Sequence, residues 1–361
     1  MAPRRLRLLG ALLAGALLAA ALGGAGSPRG PASGPAPAVA SPLARAIDAL
    51  PGTALRAQRL AAVTATWRGG PITTSAGETV RVFVSDTYPV DQVAPETWAE
   101  FLAGLAHGPE LALVTVYIAP LAEVQELCGD QALGCYSANR IVSIGDALPD
   151  DASPEEVLRH EYGHHVAFHR LNPPWSAIDW GPKRWASAAG VCARVVRKEA
   201  FPGDEGRNYA QNPGEAWAEV YRLMDERRAG ITTGRWTIIA PSFYPDEAAL
   251  QAAERDVLEP WTGSTTTVFR RVFGKRTKKV WWIPLSTALD GELQVRVSLP
   301  RNGLHEVALV GQNRTTVLGR AQWVGQSTKR ASATVCGQRT LFLRVTQRGA
   351  LGRVTVLVTA P

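Results

Sequence analysis

Residues 153–171, SPEEVLRHEYGHHVAFHRL, decide how this chain of 361 residues is organised. The stretch reads as one α-helix, because Ser153 can cap it, Pro154 suits the first helical position and Glu156 completes a capping box. The tripeptide Asn172-Pro173-Pro174 ends the stretch, since a proline keeps the residue before it out of the α region. We therefore predict a single helix that ends before the two prolines.

This predicted helix carries an HExxH motif, from His160 to His164. Histidines four residues apart lie on one face of a helix, one turn from each other, and as neutral imidazoles they can hold one Zn²⁺. Glu161 then lies beside the metal, where its carboxylate can take a proton from zinc-bound water. The alternative is a solvated helix with two ordinary histidines.

A third ligand has to come from further along the chain. His165 and His169 point away from His160 on a helix. Residues 212–219, NPGEAWAE, begin a second predicted helix, in which Glu215 and Glu219 lie one turn apart on one face. One carboxylate can bind zinc while the other accepts the N–H of a ligand histidine, and spacing alone does not say which does which. The alternative is an acidic helix surface.

The two motifs resemble those of the gluzincin-type zinc metallopeptidases, over about residues 46–262. For secreted bacterial enzymes of this kind the resemblance implies an α+β zincin-like catalytic domain with a bound Zn²⁺. It also implies a role for each matched residue: the zinc ligands are His160, His164 and Glu215, the general base is Glu161, and the partner of a ligand histidine is Glu219.

Some members of that family also have a tyrosine shortly before the ligand glutamate, in a YAxxNPxE context. Tyr209-Ala210-Gln211-Asn212-Pro213 matches this pattern. The resemblance implies that Tyr209 helps to stabilise the oxyanion formed during hydrolysis. The alternative is a tyrosine that only packs where the helix begins.

Around these motifs the sequence predicts mixed α and β structure. Residues 79–85, TVRVFVS, alternate and are β-branched, which is typical of a strand, and residues 111–118 and 140–144 read as buried strands. An amphipathic helix is predicted at 96–106, and two short helices at 43–50 and 53–66.

From residue 263 to 361 the pattern changes to short alternating runs separated by Gly, Asn, Pro or Asp. This pattern predicts an all-β sandwich domain without an evident catalytic cluster. Residues 290–300 make it similar to the small β-sandwich domains appended to secreted bacterial peptidases.

The N-terminus predicts export. Arg4, Arg5 and Arg7 precede an apolar run at 8–22 and small residues up to 26, so residues 1–26 read as a signal peptide and 27–45 as a Pro/Ala/Gly-rich linker. The alternative is an uncleaved anchor, although the apolar run is short for a membrane span. No later segment has 18 consecutive apolar residues, so we expect a secreted protein with no stable membrane insertion after cleavage.

Cysteine usage agrees with export. Four cysteines allow three disulfide connectivities. We favour a local bridge between Cys128 and Cys135, which leaves Cys192 with Cys336 and ties the two domains together. A zinc site made of cysteines is not expected, because no CxxC occurs.

The net charge of +7 has its densest basic run between Arg270 and Lys279. One interpretation is a solvated strand edge, and the other is contact of the β domain with an anionic cell-surface polymer. We expect no nucleic-acid partner.

Taken together, the sequence predicts a secreted zinc-dependent peptidase acting on peptides or proteins through water activated by zinc and Glu161. The alternative is a non-catalytic cell-surface or polymer-binding protein with a structural or vestigial zinc site. Glu161 distinguishes the two, since a structural site has no need of that carboxylate.

Overall fold

The computed structural model describes residues 67–148, 152–232 and 235–361. The first and the last secondary-structure elements in this part of the chain are β-strands. The predicted signal peptide, linker and two short N-terminal helices lie outside the described residues. In the described part the strands are β1 (Trp67–Thr73), β2 (Thr79–Ser85), β3 (Thr115–Ala119), β4 (Gly134–Ser137), β5 (Arg140–Ile144), β6 (Thr265–Phe273), β7 (Val280–Ser286), β8 (Gly291–Ser298), β9 (Glu306–Gly311), β10 (Val317–Arg320), β11 (Gln322–Gly325), β12 (Thr328–Val335), β13 (Thr340–Thr346) and β14 (Gly352–Ala360).

Along the chain, most of the described α-helices come after β5 and before β6. They are α1 (Pro95–Gly104), α2 (Leu121–Cys128), α3 (Pro154–Phe168), α4 (Ala177–Trp180), α5 (Lys183–Ala188), α6 (Val191–Val196), α7 (Pro213–Arg228) and α8 (Glu247–Leu258). None of the helices in the described residues is both long and apolar enough to cross a membrane.

The first five strands form one mixed sheet in the order β1-β2-β3-β5-β4. The central strands β2, β3 and β5 are parallel, whereas β1 and β4 pair antiparallel at the two edges. Apolar side chains on both faces explain the burial of this sheet. One face packs on α1 and α3, with α7 adding to the same core from the other side of α3, and the other face packs on α2.

Two strands predicted from the sequence, at 79–85 and 140–144, are confirmed as β2 and β5. The prediction for 111–118 is partly wrong, because Pro109–Leu113 forms a 3-10 turn and β3 begins only at Thr115. Contacts distant in sequence hold this turn: Arg170 Nη1 pairs with the Glu110 carboxylate at 3.0 Å, and the Glu110 carbonyl lies 2.8 Å from His165 Nε2.

The two long helices α3 and α7 begin as their sequences predict. Ser153 accepts a hydrogen bond from the Glu156 amide and donates its own amide to the Glu156 carboxylate, which completes the capping box of α3. Asn212 caps α7 through the Gly214 amide at 3.0 Å. The helices are almost completely buried along their length and pack directly against each other.

Residues 263–361, here called the β region, form two antiparallel sheets around one apolar core. The sheets have the strand orders β10-β9-β13-β7 and β11-β12-β8-β14-β6. Inward residues alternate with outward ones along β8, β13 and β14, which is the pattern that the sequence showed. The C-terminal β structure is therefore confirmed.

The β region is joined to the preceding residues by a disulfide and by hydrogen bonds. Cys192 on α6 is bonded to Cys336, and the Asp290 amide donates to Ser187 Oγ at 2.9 Å. The local bridge Cys128–Cys135 is present as well. Both favoured disulfides are confirmed, and the described residues contain no free cysteine.

Candidate metal centre

His160, His164 and Glu215 come together between α3 and α7 as the sequence predicts. Their ligand atoms all lie within 4.8 Å of one another, and the three residues are 0%, 3% and 1% exposed. His160 Nε2 is 3.2 Å from Glu215 Oε2, and His164 Nε2 is 3.4 Å from Glu215 Oε1. Two imidazole nitrogens and one carboxylate oxygen converging on a point can hold a metal ion.

A close approach of the two helices creates this convergence. A Cβ added to Gly163 on α3 would lie 2.8 Å from the Ala218 Cα on α7, so only glycine lets the backbones come this near. The Trp217 indole also donates to the Gly163 carbonyl at 2.8 Å. Gly163, at one of the two x positions of HExxH, thus sets the distance between the two helices. At this distance the Glu215 carboxylate reaches the two histidines.

Glu219 lies one turn along α7 and contacts the far side of His160. Its Oε2 is 3.1 Å from His160 Nδ1, so that ring nitrogen can donate to the carboxylate while Nε2 points to Glu215. Arg222 holds the same carboxylate through Nη2 at 2.6 Å and Nε at 3.0 Å. The carboxylate of Glu219 therefore orients the ring of His160 without belonging to the group that could hold the ion.

Sequence reasoning missed Arg222. The signal that could have found it is its position three residues after Glu219, on the same helix face. Arg222 also donates to Glu226 at 2.6 Å, so it is neutralised by two buried carboxylates of its own helix.

The protonation states of the cluster are mutually dependent. Burial lowers the pKa of His160, but hydrogen bonds to Glu215 and Glu219 outweigh it and raise that pKa to about 9. Burial raises the pKa of Glu219, yet the charge of Arg222 and its hydrogen bonds hold it down at about 2. The pKa of Glu215 is also lowered, because the effect of burial is exceeded by His164 and His160. The carboxylates are therefore ionised and suited to a cation.

Glu161, the predicted base, is fully buried next to the edge strand β4. A Cβ added to Gly134 would lie 2.8 Å from Glu161 Oε1. The glycine therefore leaves the room that this carboxylate occupies, and sequence reasoning had not singled it out. Only the fold brings β4 beside α3, so no local signal could have found it.

Tyr209 lies in the 3-10 turn Tyr209–Gln211, just before α7. Its hydroxyl donates to Glu215 Oε2 at 2.7 Å. The structure therefore brings Tyr209 to the group that could hold a metal ion, on the carboxylate that also faces His160.

Two further histidines, His165 in α3 and His169 at its C-terminal cap, lie away from the group that could hold a metal ion. His165 Nε2 is 2.8 Å from the Glu110 carbonyl, and burial lowers the pKa of His165 to about 4. His169 Nε2 is 2.6 Å from Asn139 Oδ1. Neither residue belongs to the group that could hold a metal ion.

Comparisons with known proteins add little to this geometry. No protein-family model matches the chain, and no curated protein matches it. Among solved structures, the pre-peptidase C-terminal domain of a collagenase from Bacillus anthracis is similar at 12% identity, covering 26% of this chain and 88% of that domain, with a TM-score of 0.21. A TM-score of that size does not establish a shared fold.

Proposed function

We propose that the chain is a secreted zinc-dependent peptidase of the gluzincin type, with a zincin-like catalytic domain at about 46–262. The observation that carries the proposal is the buried group of His160, His164 and Glu215, with Glu219 on the other nitrogen of His160. Two histidines and one glutamate, with an oriented ligand ring, are the donor set of catalytic zinc sites in peptidases.

Zinc, when bound by His160, His164 and Glu215, would supply a Lewis acid that acidifies water and polarises a peptide carbonyl. Glu161 follows His160 on the same helix and accepts the proton of the attacking water. The same carboxylic acid then returns the proton to the leaving amine. The Tyr209 hydroxyl donates its one proton to Glu215 Oε2. Turning that proton to the substrate oxygen would stabilise the negative charge that develops there.

A second candidate function is a non-catalytic cell-surface protein with a structural metal site. The observation that favours it is the burial of the three ligand residues, of which the most exposed is His164 at 3%. A structural site is closed to solvent, whereas a catalytic one keeps a position open. A general base has no use in that case, so Glu161 distinguishes the two candidates.

Replacing the base tests the proposal. In Glu161→Gln the metal ligands are untouched, so we expect the purified protein to retain zinc and its melting temperature. Hydrolysis of a mixed peptide library should fall by about 10²–10⁴-fold, because the proton acceptor is gone.

The matched control is Glu155→Gln, an exposed glutamate in the first turn of the same helix. It should hydrolyse the library at the wild-type rate and lose that activity to a chelator. If Glu161→Gln is as active as Glu155→Gln, the peptidase mechanism is wrong. If neither variant nor the wild type cleaves any peptide while zinc is bound, the structural alternative replaces it.

A further inference from the structure

The charged residues that sum to a net charge of +7 are distributed very unevenly along the chain. The β region carries 16 Lys and Arg against three Asp and Glu, whereas residues 67–262 carry 16 Lys and Arg against 28 Asp and Glu. The β region is thus strongly cationic, and residues 67–262 are strongly anionic. Such a field draws ions of opposite sign to each part and acts on binding rather than on the fold.

Few of the cations in the β region are neutralised by the protein itself. Asp290 pairs with Arg339 at 2.8 Å, and Glu306 pairs with Arg348 at 3.3 Å. Among the described residues, no other Lys or Arg of the β region lies within ion-pair distance of a carboxylate. The positive charge is therefore available to a partner.

The outer face of the five-stranded sheet concentrates part of this charge. Arg296 on β8 lies directly opposite Arg330 on β12, and both are exposed. Arg296 is also opposite Leu357 on β14, and the next row along the sheet contains Ser298, Thr355 and Arg270. The residues on either side of Arg296 along β8 are valines that face the core, so this row points outward.

Two like charges directly opposite each other on neighbouring strands destabilise a sheet. The cost of the Arg296–Arg330 pair is removed when an anion lies across both guanidinium groups, which bind carboxylate or sulfate through two parallel hydrogen bonds. An arrangement that weakens the free protein and suits a bound anion indicates a binding surface.

We propose that this outer face, the row Arg330, Arg296 and Leu357 with the row Ser298, Thr355 and Arg270, binds an anionic polysaccharide. The face is open and carries hydroxyl groups beside the arginines, which suits a chain of sugars with acidic substituents. The strand residues of these two rows include no aromatic side chain, whereas single-stranded nucleic acid is held by aromatic side chains that stack on its bases. The inference is independent of whether the metal centre is catalytic.

Heparin is the probe for a direct test on the full chain. We expect the wild type to bind a fluorescent heparin dodecasaccharide with an affinity that falls steeply with added NaCl. Arg296→Gln/Arg330→Gln should weaken binding by tenfold or more at low salt and reduce the slope of log affinity against log salt by about 2. Its melting temperature should equal or exceed that of the wild type, because a like-charge pair has been removed.

The charge-matched control is Arg301→Gln/Arg320→Gln, which removes two exposed arginines that lie off this face. Its binding should fall by less than threefold. Equal losses in the two double variants would show that any cation of the β region serves, and the proposed face would be wrong. Absence of heparin binding by the wild type, or tighter binding of a single-stranded oligonucleotide of equal charge, would overturn the choice of partner.

Discussion

Glu215 and Glu219 have the same side chain on the same helix face, but their surroundings differ. Glu215 faces both ring nitrogens that could hold a metal, and Glu219 is held by Arg222 behind His160. In the proposed zinc site Glu215→Ala removes one of three ligands, so we expect it to purify essentially without zinc. Glu219→Ala should retain zinc but bind it about 10–100-fold more weakly, because the orientation of His160 is lost.

Zinc content of the purified variants by mass spectrometry, and the rate of zinc release to a chelator, separate the two roles. Glu247→Ala, an exposed glutamate at the start of α8, is the control and should match the wild type in both measurements. An empty Glu219→Ala beside a fully loaded Glu215→Ala would mean that the roles are reversed.

Single residues of the site differ in how far the sequence could predict them. The positions of His160 and His164 follow from spacing within one helix, and those of Glu215 and Glu219 follow from spacing within another. The contact between Gly134 and Glu161 depends on where β4 lies, which no pattern within either segment contains. Contacts of this kind, between segments far apart in sequence, can be predicted only when the fold is known.

Between elements, the spacing of α3 and α7 rests on Gly163. In an exposed helix alanine is favoured over glycine by about 1 kcal/mol, but here its Cβ would lie 2.8 Å from the Ala218 Cα. We expect Gly163→Ala to push the helices apart, lower the melting temperature and weaken zinc binding, because Glu215 moves away from the histidines.

Gly104→Ala is the matched control, since it lies in the last turn of α1 and an added Cβ meets no atom within 4 Å. It should stabilise the protein by up to about 1 kcal/mol and leave zinc affinity unchanged. Melting curves and competition with a zinc indicator measure both effects. A Gly163→Ala protein that is as stable as Gly104→Ala, with the same affinity, would contradict the role given to the helix contact.

Elements with their own start and stop signals were predictable from the sequence. Helix α3 has a complete capping box and α7 an asparagine cap followed by proline, so both begin where the sequence predicts. The turn at Pro109–Leu113 was not predictable, because Arg170 and His165, far along the chain, hold it. The same holds for β4, which is short and is defined by its pairing with β5.

At the scale of the whole molecule, Lys183 lies at the junction between the β region and the rest. It is fully buried, and its Nζ donates to the Pro173 carbonyl at 2.7 Å and lies over the rings of Trp175 and Trp261. Burial lowers the pKa of Lys183 from 10.5 to about 8, against the pull of Asp290 and Asp256. At this junction the folded state therefore disfavours the charged form of Lys183.

The pKa of Lys183 is lower in the folded chain than in the unfolded chain, so the unfolded chain keeps its proton to higher pH. The free energy of unfolding should therefore rise with pH above about 8, by about 2 kcal/mol between pH 8 and 10. In Lys183→Met this rise should disappear. Urea unfolding at several pH values measures it, and an unchanged slope in the variant would assign the effect to other groups.

The disulfide between Cys192 and Cys336 has a consequence for the topology of the chain. With the backbone between them, the two cysteines close a covalent ring whose ends are separated by 144 residues. Helix α7 with Glu215 is inside the ring, and α3 with both histidines is outside it. In the chain-entropy account a ring of this size stabilises the folded state by about 5 kcal/mol. Reduction of this one bond would thus destabilise the fold that holds Glu215, the one of the three residues able to bind a metal ion that the ring encloses, against the two histidines.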